Sequence, residues 1–137
     1  MIEPLSMYCC TIYGNLHETG CKKMQRIQDR GKSIIGDQFY SPASLRTLRD
    51  RKVATHVFKS LNKLNPECMH DKFKFVSHNI CTRGNNSLLS LPTVRTEAGR
   101  KSFEFYGALV YNKLPKELRD QKSLATFKRK VKLLSLE

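Results

Sequence analysis

A proline closes the stretch that most constrains how this chain can fold. From Ser102 the sequence alternates Phe103 and Phe105 with the polar Ser102 and Glu104, then turns apolar through Gly107, Ala108, Leu109, Val110 and Tyr111 before Leu114 and Pro115. Alternation puts both phenyl rings on one face of a short strand. The apolar run after Gly107 has helical potential, and Pro115 ends it because the residue before a proline is pushed out of the α region. The pattern predicts a strand over Lys101 to Tyr106 that passes into a helix. Leu88 to Leu91 reads as its partner, forming the chain's one hairpin across the Glu97 to Arg100 turn region. Two strands are not stable alone, so the hairpin must pack on helices. Phe103, Phe105, Tyr111 and Leu114 are the expected core anchors of this stretch, with Tyr111 keeping a polar tip.

A further helix is predicted after it. Ser123 can cap it, and Leu124, Phe127, Val131 and Leu134 recur at spacings that trace one helical face. Phe127 joins the expected core anchors, while Lys128, Arg129, Lys130 and Lys132 fall on the other faces. Upstream, Leu16, Lys23 or Met24, Ile27, and Ile34 or Ile35 trace an apolar stripe that stops at Gly36, predicting a helix over 16–35. Lys22, Lys23, Arg26, Arg30 and Lys32 lie opposite that stripe. Ser44 reads as the cap of a helix over 44–50, and Val53, Val57, Leu61 and Leu64 mark another over 51–64, continuous with it or separate, stopped at Asn65 and Pro66. Residues 2–13 are apolar, and over so short a run helix and strand look alike; helix is the reading taken. The expected fold is mainly α: one small helical domain over 1–137, with four to six helices and one short two-stranded hairpin.

Twenty-five Lys and Arg against twelve Asp and Glu leave a net charge of +13, which favours a polyanionic partner and says nothing about fold. RNA or DNA, held by electrostatic contact, is the leading candidate. The candidate binding residues are Lys22, Lys23, Arg26 and Arg30 on the early helix and Lys128, Arg129, Lys130 and Lys132 on the last. Five cysteines are an odd number, and Glu3 stands where a secretory signal would carry positive charge. Reduced thiols in a cytoplasmic or nuclear setting follow. The uncharged run from Pro4 to Leu16 is shorter than the roughly 20 residues that cross a bilayer, so no membrane association is expected. Cys68, His70, His78 and Cys81 have the right chemistry for zinc, but their spacing is not that of a finger, and no metal or other cofactor is assigned.

Several spaced motifs resemble a known family. Leu91-Pro92-Thr93-Val94-Arg95-Thr96, Gly99-Arg100-Lys101-Ser102-Phe103, Tyr111-Asn112-Lys113-Leu114-Pro115 and the run from Ser123 to Val131 resemble the L-P-x-x-R-T, G-R-K-S-F, W-N-x-L-P and F-K-R-x-L motifs. Those motifs end the polyproteins of non-LTR retrotransposons of the jockey and chicken-repeat type. Pro4 to Cys9, Tyr13-Gly14 and Met24 to Arg30 resemble the opening of the same segment. Tyr111 and Tyr13 stand where the family usually has tryptophan. The resemblance implies a segment that follows the fingers, palm and thumb of a reverse transcriptase, and hence a fragment of an RNA-directed DNA polymerase.

Primer extension needs metal ions held by carboxylates to align the phosphoryl groups. Asp29, Asp37, Asp50, Asp71 and Asp120 are all solitary, with no Asp-Asp turn, and no Walker loop, nucleophile elbow or His-Glu-x-x-His pair is present. The sequence reads as a non-enzyme. Three functions fit it: a module contacting nucleic acid, a segment packing on a parent polymerase domain, and a helical protein-interaction module. Product under selection and open frame of a decayed element copy are both compatible with the residues.

Overall fold

The computed structural model describes Tyr8 and residues 18–36, 43–76 and 87–134. Among these residues the protein is helical, with no strand. Its elements are α1 (Glu18–Ile35), α2 (Leu45–Leu61), a 3-10 helix (Glu67–Lys72), α3 (Glu97–Arg100), α4 (Phe103–Asn112), α5 (Lys116–Arg119) and α6 (Leu124–Leu133). The described residues fall into two compact units, one up to Lys52 and one from Val53 onward. No helix among them is long and apolar enough to cross a membrane.

In the first unit, α1 ends at Gly36, whose φ of 88° is left-handed and whose N–H reaches Lys32 O at 2.9 Å. Glycine takes that conformation without a Cβ penalty. The expected stripe holds at Met24 and fails at two other positions. Ile27 and Ile34 are exposed, and the face turned inward carries Met24, Gln28 and Gly31. Polar bonds set this orientation: Gln28 Nε2 donates to Ala43 O at 3.4 Å, and Gln25 Nε2 to Gln28 Oε1 at 2.8 Å. Gln25 Oε1 accepts from Leu45 N at 3.2 Å, an N–H at the start of α2 that no helical carbonyl can satisfy. Ser44 completes that cap through Thr47 N, 3.2 Å away. Leu16 and the predicted helix over 2–13 lie outside the described residues.

In the second unit, Val53, Ala54, Val57 and Phe58 of α2 are buried, and α2 runs unbroken through the expected junction at 50–51. It stops at Leu61, before Asn65 and Pro66. Leu64 N then bonds Lys59 O at 2.8 Å and Lys63 N bonds Ser60 O at 3.2 Å, with Lys63 at φ 55°, a Schellman ending. Leu64 therefore leaves the helix and is 56% exposed.

The hairpin is absent. Lys101 to Tyr106 is not a strand, because Ser102 caps a helix there: its side chain accepts from Phe105 N, and Phe103–Asn112 continues as α4. Alternation over four residues is outweighed by Phe103, Gly107, Val110 and Tyr111, which share one helical face, and by Glu104 in the first turn, favourable to the helix dipole. The predicted turn at Glu97 to Arg100 is the single-turn helix α3, capped by Thr96 Oγ1 on Gly99 N at 3.1 Å. Leu88 to Leu91 forms only an isolated antiparallel bridge, Leu89 with Phe75, made by Val76 N to Leu88 O at 2.9 Å and Ser90 N to Lys74 O at 2.8 Å.

Gly107 of α4 sits against the side chains of Val57 on α2 and of Phe73. A Cβ there would meet Val57 Cγ2 at 3.0 Å and Phe73 Cζ at 3.1 Å. Val57 is fully buried, and the Phe73 ring is packed edge-on to Phe103 at 5.5 Å, so neither gives way freely. Gly107→Ala gains helix propensity of about 1 kcal/mol but overpacks this seat at a cost of about 1 to 3 kcal/mol. A net loss of stability is expected, read as a lower urea midpoint; a raised midpoint would show that the seat has room.

Candidate nucleic-acid interface

The last helix is anchored on one side only. Ser123 takes the N-cap position without a side-chain cap bond, and Phe127 and Val131 are the buried residues of α6. The Phe127 ring stacks on Phe58 at 4.3 Å, while Leu124 and Leu134 are half-buried. That fixes the rotation of the helix. Lys128, Arg129, Lys130 and Lys132 are all exposed, and among the described residues none has an ion-pair partner. Lys130 and Lys132 also lie in the last turn, where the helix dipole favours positive charge.

Helical geometry divides these four. At about 100° per residue, Lys128, Lys132 and Arg129 share an arc of about 100°. Lys130 stands on the far flank, and Leu133, 83% exposed, separates it from Arg129. The other predicted cluster belongs to the first unit. Lys22, Lys23, Arg26 and Arg30 are exposed on α1, with Lys22, Arg26 and Arg30 four residues apart along one side. Lys22 Nζ meets Glu18 Oε1 at 2.8 Å, and that hydrogen bond, then the carboxylate charge, raise the ammonium pKa.

The expected anchors divide as well. Tyr111 and Leu114 are each 2% exposed and Phe127 is fully buried, while Phe103 and Phe105 are half-buried. On a helix, Phe103 and Phe105 point about 200° apart, so they do not form the shared aromatic face a strand would give. Tyr111 OH donates to Arg119 O at 3.2 Å, and burial pushes its phenol up to about 12.

Sequence reasoning missed Asn112. Its Oδ1 accepts from Leu89 N at 2.8 Å and its Nδ2 donates to Leu89 O at 2.9 Å, so one amide does for Leu89 what a neighbouring strand would do. Arg119 Nη1 donates to Ser87 O at 3.2 Å, steadying the same segment. The available signal was a donor-and-acceptor side chain at the end of an apolar helix, just before its proline stop. Of the residues weighed for zinc, Cys68 is exposed and His70 Nε2 meets Asn65 O at 2.5 Å; His78 and Cys81 lie outside the described residues. Among those described, no group of three His, Cys, Asp or Glu is placed to hold a metal ion.

Comparison of the chain with protein families, with characterised proteins and with solved structures gave no match.

Proposed function

We propose that this chain is a non-catalytic module that contacts the backbone of RNA or DNA, of the kind that follows the polymerase core in non-LTR retrotransposon reverse transcriptases. The observation that carries the reading is the exposed basic face of α6, which has no ion-pair partner among the described residues and is held in place by Phe127 and Val131 beneath it. A net charge of +13 adds long-range attraction for a polyanion. The residues that carry the resemblance have structural roles in this chain: Thr96 and Ser102 cap helices, Tyr111 fills the core, and Asn112 clamps Leu89. Cytoplasm or nucleus is the proposed setting.

A second reading, packing on a parent polymerase domain, is favoured by Ile27 and Ile34, 57% and 84% exposed on one side of α1, since large apolar side chains in water mark contact surfaces when they are contiguous. One pair of assays separates the two. Retardation of mixed-sequence RNA and DNA at low ionic strength, micromolar or weaker and abolished by added salt, is expected from the first. Salt-independent behaviour with no retardation belongs to the second. The same preparation is expected to extend no primer, and metal-dependent deoxynucleotide incorporation above a mock preparation would overturn the non-catalytic assignment.

A further inference from the structure

We infer that the ligand of α6 is a nucleic-acid duplex gripped through its phosphates by Lys128, Arg129 and Lys132, and not a single strand; this rests on the reading of α6 as a phosphate-contacting surface. Proteins that hold single strands stack bases on exposed aromatic rings beside a basic groove. Helix α6 offers no such ring. Its one aromatic, Phe127, is fully buried and stacked on Phe58. What remains exposed is charge, and a purely electrostatic surface favours the denser polyanion.

The three side chains suit that target. Lys128 to Lys132 spans about 6 Å of helix axis, at about 1.5 Å per residue, and a duplex presents one charge per about 1.7 Å of its own axis, twice the density of one strand. Lys128, Lys132 and Arg129 thus meet several phosphates within their arc. Lys130 faces away from that arc, beyond the exposed Leu133. Each phosphate bound contributes a salt slope of about 0.9 on duplex DNA and about 0.7 on single strands. For three phosphates, and equal affinities extrapolated to about 1 M salt, the difference amounts to about sixfold tighter duplex binding near 50 mM salt.

Fluorescence anisotropy of the full chain, with labelled duplex and single strand carrying equal numbers of phosphates, tests this over about 50 to 200 mM salt. The expected result is tighter, more salt-sensitive duplex binding. The triple variant Lys128→Gln, Arg129→Gln, Lys132→Gln should reduce the duplex slope by about 2.7 units, and Lys130→Gln by less than one. Phe75, 51% exposed in the same unit, is the competing stacking platform, and Phe75→Ala should change neither ligand's binding. Single strand bound as tightly as duplex, single-strand binding abolished by Phe75→Ala, or a triple variant that binds duplex normally would each overturn the inference. The first two of those outcomes leave phosphate binding standing. Absence of salt-dependent binding to both ligands would overturn that reading too.

Discussion

Tyr111→Ala is expected to destabilise the unit from Val53 onward by about 3 to 5 kcal/mol, the range for removing a buried aromatic side chain. The ring is 2% exposed in the core, and its hydroxyl ties α4 to the end of α5 through Arg119 O. Tyr111→Phe isolates the second contribution and should cost about 1 kcal/mol, one net hydrogen bond. Alkaline pH gives an independent signature. Burial raises the phenol from 10.0 to about 12, so the unfolded chain releases this proton first. The stabilisation is complete below pH 10.0 and disappears as pH rises through about 12. Tyr111→Phe should lack that part of the alkaline loss. Urea midpoints at neutral and alkaline pH read both effects; an unchanged midpoint for the alanine variant would place the ring outside the core.

Asn112→Ala is expected to cost about 2 to 4 kcal/mol, because each buried backbone group left without a partner costs about 1 to 3 kcal/mol. Leu89 is 1% exposed, and the side-chain amide of Asn112 serves both its N–H and its C=O. Asn112→Asp should not rescue the fold, since a carboxylate accepts from Leu89 N but opposes Leu89 O. The local readout is hydrogen exchange at the Leu89 amide, which should accelerate in the alanine variant more than amides of α6 do. Equal protection in variant and wild type would mean that the bridge to Phe75 holds Leu89 unaided.

The apolar face of the last helix and the single-residue signals that cap or stop helices were legible in the sequence. Phe127 and Val131 defined the inner face of α6, Gly36 the end of α1, Ser44 the start of α2 and Pro115 the limit of α4. Short patterns misled. Ser102 to Phe105 alternates for only four residues, and the same residues supply a cap, an acidic first turn and the opening of a longer helical face. Hydrogen bonds between polar groups distant in the chain left no trace in hydropathy. Gln28 is buried and donates to Ala43 O, while Ile27 and Ile34 are exposed. Leu88 to Leu91 looked like a strand and is extended around Leu89, yet its partners are Phe75 and the side chain of Asn112. For the candidate interface, charge composition pointed to a polyanion and apolar spacing located the basic face. The separation of Lys130 from Lys128, Arg129 and Lys132 followed only once burial of Phe127 and Val131 fixed the rotation of the helix.

The most direct test of phosphate binding by α6 is the slope of log affinity against log salt for wild type and for the variant with Lys128, Arg129, Lys130 and Lys132 all changed to glutamine. Each duplex phosphate deprived of its cationic partner should flatten the slope by about one unit, so a reduction of about two to four units is expected, with helicity unchanged because Phe127 and Val131 are untouched. Equal slopes and equal affinities for the two proteins would contradict it, leaving the four side chains as solvated surface.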